Sequence, residues 1–471
     1  MIMHARGRAG WLVATVCLAG CATAGASSFE RTSVDTTADR TSVDATARRA
    51  ALARDDWHDA ELRAPVLDRA EYVEDVLRRN RSIEAARQAW RAAVARAQQS
   101  GVLDDPMISA DIAPLSIGSP RARLGWDAMV SQRLPWPGKL GLDETVARAE
   151  ADAAQSDFEA ARRELALTAS LLFDDYFASV RSIEINAHHV GLMRQMQAAA
   201  TAQYEAGRGS AQDPLQAEFE LTHMEHDTVI LASQRDVTIA QMNELLHRAP
   251  DAPLPPPPAE ITLGPEVDAA GARRLETEAV EHRPEIAAAR AHARAELARA
   301  GRGKRESLPD FTVSTAYNSM WDTPEHRWTV GLSFNLPVPN GRREGAVDEA
   351  NAMRAEYEAD AERIGDAART QVAVALKRLE ESRHVLHLMD ERLLPIARDE
   401  VDAARAAFIA SQAPFVAVVD AEKNLRGVEL DRQMALADCD RRRAELDRAL
   451  GRIPGTGQAD GARSLAREAT P

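Results

Sequence analysis

The side chains best suited to chemistry are histidines and methionines in helical stretches. His188-His189 with Met193 and Met196 lie on one stretch, His223-Met224 and His226 on the next, and His384 and His387 on a later one. Histidines three residues apart share a helix face and can ligate soft or borderline metals. Nothing in the spacing fixes four ligands, so no metal is assigned. Gly207-Arg208-Gly209 is too short to wrap a phosphate and sits between two helical stretches. The chain carries no zinc-type Cys/His spacing, no nucleotide-binding glycine loop and no nucleophile set beside a base. An enzyme is therefore not expected, and no cofactor is implied. Cys17 and Cys21 end the N-terminal leader, which leaves Cys439 as a structural thiol and no disulfide framework.

The elements that hold these residues are long and mostly helical. The 471 residues are rich in alanine, 28% charged and only 4% aromatic, which favours extended helices over a broad α/β core. The formal charge of −15 opposes a nucleic-acid partner, because phosphate binding needs a basic surface. Beyond the N-terminus no apolar run reaches 18 residues, so membrane insertion would have to use strands.

Arg6 and Arg8 precede an apolar stretch from Trp11 to Gly20, as in a signal peptide (1–20). Leu18-Ala19-Gly20-Cys21 resembles the lipobox of bacterial lipoproteins, which implies a diacylated Cys21 as the first mature residue. Ala22, not Asp, follows it, which in that family favours the outer membrane. Residues 21–60, rich in Ser, Thr, Asp and Arg, read as a lipidated flexible tether.

The rest of the chain is written twice, 202 to 204 residues apart. Ile83-Glu84-Ala85-Ala86-Arg87 returns as Ile286-Ala287-Ala288-Ala289-Arg290, and Pro106 as Pro309. Trp126, Ser131 and Leu134-Pro135-Trp136-Pro137 return as Trp328, Ser333 and Leu336-Pro337-Val338-Pro339. Tyr204 and Ala217-Glu218 return as Phe408 and Ala421-Glu422. One unit built twice is implied: a first repeat over 61–249, a Pro-rich linker over 250–265, a second repeat over 266–452 and a disordered tail over 453–471.

Each repeat reads as a helix, two strands and a long helical hairpin. The opening helix is predicted from Val66 to Gln99. Strands are predicted near 107–113, 124–134, 310–317 and 327–336. Trp328, Val330, Leu332, Phe334 and Leu336 alternate with small polar residues, the period of a strand with one apolar face shared by Phe311, Val313 and Tyr317. Leu140 to Ala206 holds no proline, and 67 residues of helix would extend about 100 Å. Its seam includes Leu165, Leu172, Tyr176, Val180 and Ile183. In the second rod Val372, Leu379, Leu386 and Leu393 recur every seven residues, as in coiled packing. The hairpins turn at Gly207-Arg208-Gly209-Ser210, with Asp213 as the expected cap and Pro214 opening the return helix, and at Ser411-Gln412-Ala413-Pro414.

In this order the chain resembles the TolC-like outer membrane efflux proteins over about residues 60 to 452. The resemblance is carried by Val130-Ser131-Gln132-Arg133-Leu134-Pro135-Trp136-Pro137-Gly138-Lys139-Leu140, by Leu308-Pro309-Asp310-Phe311 and by Tyr204-Glu205-Ala206-Gly207 followed by Ala217-Glu218. It implies a mostly α fold with a small β part. A homotrimer would form a 12-stranded outer-membrane β-barrel, four strands per chain, continuing into a helical periplasmic barrel. Implied partners are a periplasmic adaptor protein and an inner-membrane transporter, of the resistance-nodulation-division type if the Pro-Trp-Pro-Gly-Lys junction marks the heavy-metal subgroup. The implied function is a passive duct of a tripartite efflux pump, exporting small toxic solutes or heavy-metal cations. A duct for protein or peptide secretion is one alternative, and a structural periplasmic coiled-coil lipoprotein is another.

The resemblance also places candidate residues. Asp402 falls where family members carry an acidic ring above the tip, with Arg405 one turn on, as a periplasmic gate; the first repeat has Ala198 there. Gly207, Arg208, Gly209, Ser210, Ser411, Gln412 and Ala413 would be the adaptor-facing tips. Pro395 and its counterpart Gly191 both weaken a helix at one height and suggest a hinge. Trp126 and Trp328 fit a membrane-interface belt.

Overall fold

The computed structural model describes residues 65–455, apart from 119, 121–122, 264–268, 339–340 and 411. The signal peptide, Cys21, the tether to residue 60, the end of the linker, Ser411 and residues 456–471 of the tail lie outside the described residues.

The first repeat holds α1 (Arg69–Arg79), α2 (Arg81–Gln99), β1 (Met107–Ile112), β2 (Trp126–Leu134), α3 (Lys139–Glu205) and α4 (Gln212–Leu245). The second holds α5 (Ala269–His282), α6 (Pro284–Arg305), β3 (Phe311–Asn318), β4 (Trp328–Phe334), α7 (Gly341–Leu388), a π turn (Met389–Leu393), α8 (Leu394–Ile409) and α9 (Phe415–Ala449).

The single opening helix predicted over 66–99 is two. Asn80 leaves helical geometry at ψ 128, and its side chain accepts the Ser82 N–H, so it ends α1 and caps α2. The second repeat breaks at the matching Arg283, where Pro284 opens α6. The repeats agree at the far end too. Arg248 N–H bonds to Asn243 O and Arg452 N–H to Asp447 O, both at 2.9 Å, closing α4 and α9 with the same left-handed cap. Glycine takes that cap at Gly451 (φ 77), but His247 (φ 56) takes it in the first repeat.

α3 is the axis, and it changes partners along its 67 residues. Near the strands it runs along α6; here α3 buries Ala147, Ala149, Ala151 and Ala153 on more than one side, and α6 buries Ala288, Ala291, Ala295 and Ala298. Alanine favours helix and lets two axes approach closely. Trp90 of α2 stacks on Phe158 at 5.7 Å. Further on, Phe173 and Tyr176 join Tyr72, Val73 and Val76 of α1 with Met242 and Leu246, and Ile453 packs against the same cluster. Each such large side chain stabilises by about 1.5–3 kcal/mol when fully buried. The proline linker lies on this core. Its carbonyls accept from Tyr176 Oη (3.1 Å at Pro255), Arg181 (Pro257 and Pro258) and Asn243 (2.8 Å at Ala252). Prolines have no N–H to satisfy, so acceptor pairing, together with Leu254 packed on the core, docks the segment.

Val372, Leu379 and Leu386 are buried, as the heptad predicts, but Leu393 is 41% exposed. The π turn winds one extra residue into the helix before Leu393, so the seam loses phase there. Among the described residues no helix is long and apolar enough to cross a membrane.

Candidate functional site

The four strands form one antiparallel sheet in the order β1-β2-β3-β4. Its register places Ile108, Ala110 and Ile112 of β1 on one face with Trp126, Val130 and Leu134 of β2. Phe311, Val313 and Tyr317 continue that face, opposite Phe334, Leu332 and Trp328 of β4. Ile108, Trp328, Val330, Leu332 and Phe334 are each 60% exposed or more. The opposite face carries Ser109, Asp127, Ser131, Arg133, Thr312, Ser314, Thr329 and Ser333.

Aromatic rings edge the apolar face at both ends. Trp126, Tyr317 and Trp328 form a row, with ring centroids 5.0 and 5.2 Å apart. The two tryptophans expected to share a belt are thus joined through Tyr317. Trp136, Phe311 and Phe334 form a second row, at 5.8 and 6.5 Å, where the strands meet the rods. Six residue steps along β3 carry the chain from Phe311 to Tyr317, about 20 Å. The second row is not among the expected belt residues, because Trp136 lies beyond the strand in the Pro-Trp-Pro turn.

At that junction the two longest sequence motifs meet. Gly138 takes φ 85, which aims Lys139 inward from the first turn of α3. Lys139 is fully buried, and its Nζ donates to Asp310 Oδ1 at 2.8 Å and to Leu308 O at 3.1 Å. Asp310 also accepts Trp136 N–H and Arg133, both at 2.9 Å, while its own N–H donates to Asn335. Burial alone would raise the Asp310 carboxyl, but the hydrogen bonds from Lys139, Trp136 and Arg133 outweigh it and hold it well below the usual carboxylate range.

At the opposite end the tips turn. Gly207 (φ 67) follows α3, and Arg208 N–H bonds back to Gln203 O at 2.9 Å. Neither Asp213 nor Pro214 holds its expected place: Ala211 is the N-cap of α4 and Gln212 opens the helix. Ser210 Oγ accepts Gln212 N–H at 3.2 Å, and Asp213 accepts Ser210 N–H at 3.1 Å, which ties the turn to the first helical residues. In the second tip Gln412 N–H bonds to Ala407 O at 2.8 Å, and Phe408 packs on Phe415 at 5.5 Å.

Asp402 is exposed and has no ion pair among the described residues. Arg405 does not turn towards it; it pairs with the buried Glu422 of α9. The helix therefore points the two residues at different neighbours despite their spacing. Pro395 does not break the rod: Leu394 N–H bonds to Met389 O, a five-residue step that carries the chain past it. Around Gly191 a Cβ would meet nothing within 4 Å.

The histidines and methionines scatter. Met193 and Met224 are core, His223 and His226 are exposed beside Asp227, and His387 pairs with Glu391 at 3.1 Å. His189 is buried between Glu422 and Glu429, which sequence alone did not reveal. Among the described residues no group of three or more His, Cys, Asp or Glu has a geometry that could hold a metal ion.

Residues 275–452 match the family model described as outer membrane efflux protein. No curated protein matches the chain. Among solved structures it is similar to a membrane protein from Pseudomonas aeruginosa, at 18% identity and TM-score 0.69, covering 84% of this chain and 92% of that one. CusC, a transmembrane channel, is similar at 16% identity and TM-score 0.70, over 83% and 94% of the two chains. The outer membrane protein VceC from Vibrio cholerae is similar at 20% identity and TM-score 0.67, over 81% and 95%. At these identities the shared property is the fold.

Proposed function

Taking the chain as a member of the TolC-like outer membrane efflux protein family, we propose that it is the outer-membrane duct of a tripartite pump, working as a homotrimer. The observation that carries this reading is the four-stranded sheet with one exposed apolar face, a mainly polar opposite face and aromatic rows at both ends. Membrane barrels need an outward apolar band flanked by aromatic girdles, and lipid tolerates no open strand edge. One chain leaves β1 and β4 as edges. Three copies close them into twelve strands. Exposed apolar side chains on α4 (Leu215, Phe219, Val229, Val237) and on α7 and α8 (Val374, Val385, Leu388, Ile396) supply surfaces for neighbouring copies along the rods.

In this assembly α3 carries the passage about 100 Å into the periplasm. Cys21 adds a lipid anchor. The tip residues 207–210 and 411–413 face a periplasmic adaptor, and an inner-membrane transporter of the resistance-nodulation-division type supplies the energy. The cargo is small toxic solutes, heavy-metal cations among them. Asp402 from each copy forms the acidic ring of the gate, Arg405 braces that helix on Glu422, and Gly191 and Pro395 act as hinge.

Conductance of the purified protein in a planar bilayer tests the reading, with Asp402→Ala beside the wild type. A pore that loses cation block in the variant supports both duct and gate. An unchanged pore keeps the duct and removes Asp402 from the gate. A folded protein that forms no pore overturns the duct.

A further inference from the structure

Midway along the lower hairpins, α3, α8 and α9 enclose His189, whose side chain is 2% exposed. Its Nε2 lies 3.1 Å from Glu429 Oε2. Its Nδ1 faces Oε2 of Glu422, also 2% exposed, at 3.8 Å. That gap is too long for a hydrogen bond. These two facing atoms are both buried without a hydrogen-bond partner. Glu422 and Glu429 stand seven residues apart on α9, and two arginines seven residues apart on α8 hold them. Arg405 pairs with Glu422 Oε1, and Arg398 lies 3.7 Å from Glu429 Oε1.

The remaining charges nearby are His188 on α3, edge-on to His189 at 5.6 Å, and two pairs joining α4 to α9. Those pairs are Glu220 with Lys423 at 3.8 Å and Asp227 with Arg426. Both α9 glutamates thus have an arginine on one side and the same imidazole on the other.

A neutral imidazole has one N–H and can serve one carboxylate. Its other nitrogen then turns a lone pair towards a buried carboxylate oxygen, and both stay unsatisfied. An imidazolium has two N–H groups, one for each glutamate. We propose that His189, Glu422 and Glu429 form a proton-binding latch that clamps α3 to α9 when His189 carries both protons. Hydrogen bonding from His189 outweighs burial and holds the Glu429 carboxyl below its ordinary range, so this acceptor is anionic. The ligand is a proton and not a metal: the ring nitrogens face different carboxylates, and no single ion reaches all three groups. A second ring proton is taken up as the pH falls, so the latch tightens in that direction. The latch stands independently of any transported solute.

Hydrogen exchange of the full-length protein in detergent, corrected for the intrinsic rate at each pH, tests it. In the wild type, amides over 185–195 and 418–430 are protected more strongly at about pH 5.5 than at about pH 8. His189→Gln, which keeps one donor and cannot titrate, loses that gain. Glu422→Gln, which can donate to a neutral imidazole nitrogen, is protected alike at both pH values. A pH response in His189→Gln equal to that of the wild type overturns the latch. Should His189→Gln not assemble, a wild-type response in Glu422→Gln overturns it equally.

Discussion

Lys139 and Asp310 stand 171 residues apart in sequence, yet Lys139 Nζ meets Asp310 Oδ1 at 2.8 Å where strands become rods. The pair ties the first repeat to the second at the one level where β2, β3, β4 and α3 converge. Lys139 is fully buried and Asp310 nearly so, so neither charge is tolerable alone. Lys139→Met is expected to cost about 3–5 kcal/mol, the penalty of stranding a buried partner. Lys139→Met with Asp310→Asn should recover part of it, measured as a coupling energy in thermal or denaturant unfolding.

The same pair sets an acid limit. The folded Asp310 carboxyl lies below its unfolded value, so its stabilisation is complete above about pH 4 and is lost as the pH falls further. The stability gap between wild type and Asp310→Asn should stay flat from about pH 8 to 5 and close only below about pH 4. A gap that closes near neutrality would contradict the assignment.

Asp75 on α1 works in the opposite sense. Burial pushes its carboxyl up to about 6, although Arg78 and Arg79 pull it down. A folded value above the unfolded one penalises the native state at neutral pH, and the penalty fades as the pH drops through 6 towards 4. Asp75→Asn is therefore expected to stabilise by about 1–3 kcal/mol at pH 7–8, with no advantage left near pH 4. Melting curves across that range, wild type against variant, read the effect directly.

How much of this was legible in sequence depends on how many faces a segment buries. The strands bury or expose one face at period two, so their alternation could be read before any coordinates. α3 packs different sides against α6, α2, α1, α9 and α4 in turn, so no single stripe marks its inner face. The seam read at Leu165, Leu172, Tyr176, Val180 and Ile183 therefore caught part of the core and missed Phe173, Phe177 and His189. Asp310 could be found as a motif residue, but its partner could not, because the contact joins the two repeats. The exposure of Leu393 was hidden for another reason: heptad counting assumes an unbroken helix.

The two helix caps offer a comparison within one molecule. His247 carries a side chain in the left-handed region, which costs about 1–2 kcal/mol relative to glycine. His247→Gly should recover about 1 kcal/mol of that in equilibrium unfolding. At Gly451 a Cβ would sit 2.8 Å from His282 O, a backbone atom that cannot swing away. Gly451→Ala should cost more than the backbone term alone. Equal and opposite effects at the two caps would mean that the crowding against His282 is relieved.

Pro395 and the π turn form the last testable unit. Proline has no N–H, so a regular helix would leave the Glu391 carbonyl without its donor, and the ring would crowd that turn. The π turn at Met389–Leu393 moves the mismatch upstream and turns Leu393 outward. Pro395→Ala returns the missing N–H and makes a continuous α-helix the better solution. That helix would gain up to about 3 kcal/mol locally. Removing the extra residue from the turn also shifts α8 by about 100° relative to α7, because each α-helical residue advances by that angle. Arg398 and Arg405 must keep α8 in its present phase to reach Glu429 and Glu422. The two demands conflict, and the ion pairs decide which prevails. If they prevail, Pro395→Ala keeps the π turn, and amides over 386–394 exchange as fast as in the wild type. If the helix prevails, those amides slow and the ion pairs break, so Arg405→Ala on top of Pro395→Ala changes little. Exchange over 386–394 that slows while Arg405→Ala keeps its full cost would show that the ion pair to Glu422 does not depend on the π turn's phase.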